Sequence, residues 1–200
     1  MRLVLVLFSL CFLAPSAVAA KTILVLGDSL SAGYGIRPEQ AWPSLLTQRL
    51  AERRIDYTVA NLSISGETTA GGRSRLAAAL ATHQPAVVVL ALGANDGLRG
   101  LSIEQMRGNL EAMISAAQKA GARVLVAGMR LPPNYGPYAD QFVQSFADIA
   151  KTKKTALLPF LLEPVATRPE LFQADRLHPT AEAQPLLLEH VWPKLQPLLR

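Results

Sequence analysis

The chain has 200 residues, of which 50% are hydrophobic and 18% charged, and its formal net charge is +5. This composition is typical of one globular domain with a sizeable core, and it excludes a disordered chain. The basic residues are scattered and do not alternate with aromatic residues, so no nucleic-acid partner is expected.

Residues 1–19 are predicted to be a signal peptide, with cleavage after residue 19 or after residue 20. Arg2 precedes an apolar run from Leu3 to Leu13, and the small residues at 17–19 suit a signal peptidase. The apolar run is too short to span a bilayer as an ordinary helix, although an uncleaved anchor is the alternative. We therefore expect an exported protein, periplasmic or secreted, with one domain at residues 20–200.

Cys11 is the single cysteine of the chain, and it lies inside this leader. After cleavage the chain would have no thiol, so a disulfide, a cysteine nucleophile and a thiolate zinc site are not expected. Stability must then come from the burial of a hydrophobic core.

Apolar runs alternate with helical patterns along the remaining chain. The predicted strands cover residues 22–26, 57–62, 86–92, 124–127 and 155–158. The predicted helices cover residues 42–52, 72–81, 103–120 and 138–151, and a last helix capped by Thr180 and ending near Leu199. Alternating strands and helices predict right-handed crossovers and a parallel sheet between two helical layers. We predict an α/β, flavodoxin-like fold with five parallel strands in the order 2-1-3-4-5.

Four polar motifs follow apolar runs or lie near the C-terminus. They are Gly27-Asp28-Ser29-Leu30, Ser65-Gly66-Glu67, Gly93-Ala94-Asn95-Asp96 and Asp175-Arg176-Leu177-His178. The first three follow predicted strands, so they would converge outside the carboxyl ends of the sheet. Together the motifs contain a serine, a carboxylate, a histidine and hydrogen-bond donors, which are the groups that acyl transfer requires.

Ser29 is the candidate nucleophile, and an ordinary helix N-cap serine is the alternative interpretation. His178 is the candidate general base, because His83 and His190 lie in patterns typical of surface or packing residues. Asp175 can turn back to the imidazole of His178, fix its tautomer and stabilise the imidazolium.

Three groups are candidate donors to a tetrahedral oxyanion. They are the backbone N–H groups of Ser29 and Gly66 and the side-chain amide of Asn95. A turn glycine and an ordinary loop are the alternative interpretations of Gly66 and of the segment that contains Asn95.

These four motifs resemble the four blocks of the SGNH, or GDSL, hydrolases, and the resemblance extends over the whole mature chain. Residues 97–100, 131–136 and 184–185 further resemble the exported bacterial acyl-thioesterase, lysophospholipase and arylesterase branch. The resemblance implies the three-layer SGNH hydrolase fold. It also implies a triad of Ser29, Asp175 and His178, and an oxyanion hole of Ser29, Gly66 and Asn95. Glu67 departs from the aspartate common in this branch, at a position without a catalytic role.

The loop after the fourth predicted strand is apolar and would border the same crevice, with four candidate substrate-binding residues: Leu131, Pro132, Pro133 and Tyr135. Only 6% of the residues are aromatic, which favours an acyl chain over a sugar. We therefore expect a serine hydrolase acting on carboxylic esters and acyl thioesters, such as aryl esters, acyl-CoA-type thioesters and lysophospholipids. No metal or other cofactor is expected. The enzyme is expected to be a monomer, and contact with a membrane-lipid surface is left open.

Three other functions were weighed against this one. A carbohydrate O-acetyl esterase would use the same scaffold, and a lipid- or glycan-binding module would have an incomplete site. A metal-dependent phosphoesterase would use Asp28, Asp96, Asp175 and His178, but the sequence has neither paired histidines nor a dense carboxylate motif.

Overall fold

The computed structural model describes residues 20–200, so the predicted signal peptide lies outside the described residues. Among residues 20–200, no helix has both the length and the apolar character needed to cross a membrane.

A five-stranded parallel sheet forms the centre of the molecule, and its order β2-β1-β3-β4-β5 confirms the prediction. The strands are β1 (Lys21–Gly27), β2 (Tyr57–Asn61), β3 (Val87–Ala91), β4 (Arg123–Ala127) and β5 (Ala156–Leu158). The central strand β3 is buried along its whole length, as expected where helices cover both faces. Gly27 at the end of β1 pairs with Ala91 at the end of β3, so the segments after these strands leave the sheet side by side.

Helices surround the sheet and connect its strands. In chain order they are α1 (Ser29–Ala32), α2 (Trp42–Glu52), α3 (Thr69–His83), α4 (Ala94–Leu98), α5 (Ile103–Lys119), α6 (Pro137–Lys153) and α7 (Gln184–Leu195). The hydroxyl of Ser102 accepts a hydrogen bond from the backbone N–H of Gln105 and caps α5. The helices α1 and α4 were not predicted, because four or five residues are too few to show helical periodicity.

The C-terminal helix is shorter than predicted. A 3₁₀ turn (Ala181–Ala183) precedes α7, and a second 3₁₀ turn (Gln196–Leu198) follows it. Thr180 stands before the first turn without a side-chain capping hydrogen bond. Pro185 lies in the first turn of α7, where the missing N–H of proline is tolerated, so the α-helix begins there.

Alternate residues of each strand point to opposite faces of the sheet and form two separate cores. On one face, Ile23 and Val25 pack with residues of α2 and α7 such as Trp42 and Leu187. On the other face, Leu24 and Leu26 join residues of α3, α5 and α6: Leu76, Leu110, Phe142 and Phe146. The result is the predicted three-layer architecture.

Candidate active site

Ser29 lies at the carboxyl end of β1, as the first residue of the short helix α1. Asp28 precedes it as the N-cap, and its Oδ1 accepts a hydrogen bond of 3.0 Å from the backbone N–H of Leu30. This turn directs the Ser29 side chain out of the sheet edge, where its Oγ lies 2.9 Å from Nε2 of His178.

His178 lies between Ser29 and Asp175. Its Nδ1 is 2.7 Å from Oδ2 of Asp175. Oδ1 of the same carboxylate accepts hydrogen bonds from the backbone N–H groups of Leu177 and His178, at 2.9 and 3.0 Å. These hydrogen bonds lower the pKa of the Asp175 carboxyl group to about 2. The largest effect comes from the backbone N–H of His178, and the next largest from its side chain. An ionised carboxylate only accepts, so Nδ1 donates to Asp175, and in the neutral imidazole Nε2 is then the acceptor that faces Ser29.

Tyr34 was not among the predicted site residues, yet its ring packs on the imidazole of His178, with ring centroids 4.4 Å apart. Gln173 connects the two loops involved, because its Nε2 donates to the carbonyl oxygens of Tyr34 and Pro179, at 2.7 and 3.1 Å. The position of Tyr34, five residues after the serine, gave no signal that it would contact the base.

Two of the candidate oxyanion donors, Gly66 and Asn95, lie in the segments after β2 and β3 and line the same cavity as Ser29 and His178. Gly66 has a φ of 80°, a left-handed conformation that favours glycine. Asn95 lies in the first turn of α4, and its Nδ2 donates to the carbonyl oxygen of Glu67 at 3.0 Å, which leaves its second amide hydrogen free for a ligand. Within residues 20–200, the backbone N–H groups of Ser29 and Gly66 donate to no other group.

Two arginines hold the segment that contains Gly66. Nη2 of Arg99 donates to the Gly66 carbonyl oxygen at 2.9 Å. Glu67, the departure from the family pattern, forms an ion pair of 2.8 Å with Arg75, whose Nη1 also donates to the carbonyl oxygen of Leu62. The Glu67 side chain therefore supports this loop instead of entering the site.

Asp28 is a buried carboxyl group next to the nucleophile, with only 1% of its surface exposed. Its Oδ2 has no hydrogen-bond partner among the described residues. Burial raises the pKa of Asp28 to about 6, although the hydrogen bond from Leu30 and the nearby His178 oppose this effect. The carboxyl group therefore titrates close to neutral pH.

Two adjacent apolar cavities lie at the site, and the smaller one contains the nucleophile. The smaller, about 160 Å³, contains Ser29, Gly66, Asn95 and His178. The larger, about 340 Å³, is lined by three of the predicted substrate-binding residues, Leu131, Pro132 and Pro133. The cavities share the side chains of Ala94, Leu98, Met129, Leu162 and Leu177, so they adjoin each other, and we call the pair the apolar channel.

The fourth predicted substrate-binding residue, Tyr135, lines neither cavity. Its hydroxyl donates to the carbonyl oxygen of Leu98 at 3.0 Å, so Tyr135 supports the channel wall from outside. Met129 and Leu162, which follow β4 and β5, were missed by the sequence analysis. The strand-end rule used for the polar motifs would have indicated both.

A surface groove of about 890 Å³ between α5 and α6 exceeds both cavities in volume, but it contains none of the four motifs. Within residues 20–200, no three His, Cys, Asp or Glu side chains form a cluster that could hold a metal ion. In particular, both carboxyl oxygens of Asp96 bind Thr69. The structure therefore does not support Asp96 as a ligand of the metal ion that the phosphoesterase alternative requires.

Comparisons with known proteins agree with this geometry. The GDSL-like lipase/acylhydrolase family matches residues 25–185. Esterase TesA of Pseudomonas aeruginosa is 52% identical over 182 residues, which cover 90% of each chain. The thioesterase 1/protease 1/lysophospholipase L1 of Escherichia coli K12 is 41% identical over 184 residues, or 92% of this chain and 87% of that protein.

A crystal structure of TesA has a TM-score of 0.87 and 51% identity to this chain, and the match covers 90% of this chain and 100% of the other. The resemblance inferred from the sequence motifs is thereby confirmed. The chain belongs to the GDSL-like lipase/acylhydrolase family and is an ester-hydrolysing enzyme of its esterase and thioesterase class.

Proposed function

We propose that Ser29, His178 and Asp175 hydrolyse carboxylic esters and acyl thioesters through an acyl-enzyme intermediate. The observation that carries the proposal is the position of His178, 2.9 Å from the Ser29 hydroxyl and 2.7 Å from the Asp175 carboxylate. A serine hydroxyl is nearly unreactive at neutral pH unless a base takes its proton, and Nε2 of His178 is oriented to do so.

In the first half of the reaction, Ser29 Oγ bonds to the substrate carbonyl carbon while its proton moves to Nε2 of His178. The carbonyl electrons move to the oxygen, which accepts hydrogen bonds from the Ser29 and Gly66 N–H groups and the Asn95 amide. When these electrons return, the bond to the leaving group breaks. His178 gives its proton to the departing alcohol or thiol, and the acyl group stays on Ser29.

In the second half, a water molecule attacks the acyl carbon and His178 takes its proton. Collapse of the second tetrahedral intermediate releases the carboxylic acid and returns the proton to Ser29 Oγ. Asp175 stays ionised throughout, because its pKa of about 2 lies far below neutral pH. Its negative charge stabilises the imidazolium in both halves.

The apolar channel supports an acyl chain as the part of the substrate that is buried. Leu131, Pro132 and Pro133 line its outer part, and Met129 and Leu162 connect that part to Ser29. Polar sugar hydroxyls would lose hydration in such a channel, whose outer part has Arg130 and Arg176 as its polar side chains. Aryl esters, acyl-CoA-type thioesters and lysophospholipids all present an acyl chain of this kind, and they are the proposed substrate class.

A series of p-nitrophenyl esters and acyl-CoA thioesters, from acetyl upwards, tests this proposal, with and without a chelator. We expect kcat/KM to increase over the first several carbons for both leaving groups and to be unchanged by the chelator. A preference for acetate esters throughout the series would favour the carbohydrate O-acetyl esterase. Loss of activity with the chelator would favour metal catalysis.

We also propose that the enzyme is exported and that residues 1–19 are removed. The apolar run and the small residues before the cleavage position support this proposal. N-terminal sequencing of the protein from a periplasmic fraction should give a chain that begins at Ala20 or Lys21. A full-length N-terminus in that fraction would contradict the proposal.

We further propose that the monomer contacts anionic lipid surfaces through the rim of the site. The exposed large apolar side chains of the described residues lie in loops at the carboxyl edge of the sheet: Tyr34, Ile64, Leu101 and Leu177. The formal net charge of +5 for the full chain, which becomes +4 when Arg2 is removed with residues 1–19, complements such a surface. Co-sedimentation with vesicles of anionic phospholipid should decrease in an Ile64→Asp variant, and equal binding of this variant would contradict the contact.

A further inference from the structure

A buried hydrogen-bond network lies behind the oxyanion donors. Asp96 and Thr69 have only 4% and 0% of their surfaces exposed. Asp96 Oδ2 accepts from the Thr69 backbone N–H at 2.9 Å, and Asp96 Oδ1 lies 2.5 Å from the Thr69 hydroxyl oxygen. Both carboxyl oxygens are therefore used by one residue of another segment.

A third residue fixes the direction of these hydrogen bonds. Nδ2 of Asn109, on α5, donates to Thr69 Oγ1 at 3.2 Å, and Oδ1 of Asn109 accepts from Arg73 at 3.2 Å. Since the hydroxyl oxygen of Thr69 accepts from Asn109, its own hydrogen is free to point at Asp96. The network is thus fully satisfied, as a buried polar group requires.

The network joins the two segments that carry oxyanion donors. Asp96 directly follows Asn95 in the first turn of α4, and Thr69 is the first residue of α3, three residues after Gly66. Arg99, at the end of α4, also joins the two segments, because its Nη2 donates to the carbonyl oxygen of Gly66. Asn95 itself is held by the bond from its Nδ2 to the carbonyl oxygen of Glu67. This bond uses the very amide that must act on the substrate, so it cannot alone hold that amide in place.

We propose that Asp96 and Thr69 are positioning residues, which hold the Asn95 amide in register for the developing oxyanion. The inference rests on the proposed function of Asn95 and Gly66 as oxyanion donors. Donors stabilise a transition state only when they are fixed in advance, so a displacement well below 1 Å is expected to decrease kcat. Asp96 and Thr69 do not line the channel, so the ground-state binding of the substrate, and hence KM, should change little.

A double-mutant cycle between Asp96→Asn and Asn95→Ala tests the proposal. Asn has the shape of Asp but places an amide where the Thr69 hydroxyl needs an acceptor. We expect Asp96→Asn alone to lower kcat by about 10- to 100-fold with a small change in KM. In the Asn95→Ala background, where the amide is already absent, the same substitution should lower kcat by less than about threefold.

Two further variants separate positioning from general damage. Thr69→Val removes the hydroxyl and should reproduce the loss caused by Asp96→Asn, whereas Thr69→Ser should restore most of kcat. Thr47→Val is the matched control, since the Thr47 hydroxyl bonds only to the carbonyl oxygen of Pro43 within α2. It should leave kcat unchanged. If Asp96→Asn prevents folding, the Thr69→Val variant replaces it in the cycle.

Equal losses of kcat in the wild-type and Asn95→Ala backgrounds would overturn the proposal, because the network would then act independently of the amide. A loss confined to KM would overturn it as well. If Asn95→Ala itself keeps full kcat, the oxyanion role in the proposed function fails, and the positioning role fails with it.

Discussion

The two sides of the site are built in different ways. On the base side, Asp175 binds His178 three residues later, and the Asp175 side chain is 41% exposed. On the oxyanion side, the bond between Asn95 and Glu67 spans 28 residues, and the Asp96–Thr69 bonds behind it span 27 residues in a buried environment. The Asp175–His178 pair is therefore formed by one local turn, whereas the oxyanion donors depend on the packing of three segments.

This difference predicts how a substitution on each side affects the enzyme. A change on the base side should affect proton transfer and leave the rest of the protein intact. A change on the oxyanion side should be transmitted between segments, because buried polar networks are coupled.

The substitution Asp175→Asn disrupts the base side most directly. The variant should keep its fold but lose about 10³–10⁴-fold in kcat, since the amide can donate to Nδ1 and favour the wrong tautomer. Steady-state kinetics measure the loss, and circular dichroism measures the fold. The matched control is Asp140→Asn, an exposed carboxylate in the first turn of α6, which should behave as wild type. Full activity of Asp175→Asn would remove Asp175 from the triad.

On the oxyanion side, the substitution Asn95→Ala removes one of the proposed donors. The variant should lose about 10²–10³-fold in kcat with less change in KM, because the amide acts on charge that the ground-state ester lacks. Gln118→Ala is the matched control, since its amide donates to the carbonyl oxygen of Lys153, in a part of the chain outside the site. A loss confined to KM would make Asn95 a substrate-binding residue instead.

The apolar channel lies beside both sides of the site. The substitution Leu131→Asp should change the preference for acyl-chain length without changing the base or the oxyanion donors. Each buried methylene contributes about 0.8 kcal/mol, or roughly a fourfold increase in kcat/KM, until the channel is full. A charge at position 131 should flatten this increase, while acetate esters, which do not reach that position, serve as the internal control. An unchanged chain-length profile would exclude Leu131 from the acyl site.

Asp28 contributes to the pH dependence of stability. Its pKa is raised from 3.8 to about 6, so the folded protein prefers the protonated form. Stability is therefore lost as pH increases from about 4 to about 6, by at most about 3 kcal/mol. Asp28→Asn keeps a neutral capping group, so it should be more stable than wild type at pH 8, with a smaller difference at pH 3.5. Urea titrations at pH 3.5 and pH 8 measure the free energy of unfolding of both proteins. The same difference in free energy at both pH values would contradict this prediction.

The comparison also explains which features could be predicted from the sequence. The strands followed from apolar runs and the Asp175–His178 pair from one short motif, because both depend on local patterns. The strand order is not a local pattern, and it was predicted because the order 2-1-3-4-5 places the motifs of Ser29 and Asn95 side by side. The contact of Tyr34 with His178 and the Asp96–Thr69 bonds join residues distant in sequence, for which a single chain gives no signal. The bond from the Tyr135 hydroxyl to the carbonyl oxygen of Leu98 likewise joins two segments, and no local pattern indicates it.

Ser29 is the proposed nucleophile, and covalent labelling tests this role. A p-nitrophenyl alkylphosphonate should release one equivalent of nitrophenol, and mass spectrometry of a digest should place one adduct on Ser29. Ser31→Ala, which alters a neighbouring hydroxyl, should be labelled as wild type, and Ser29→Ala should not be labelled. Labelling that persists in Ser29→Ala, or an adduct on another residue of the wild-type enzyme, would contradict the claim.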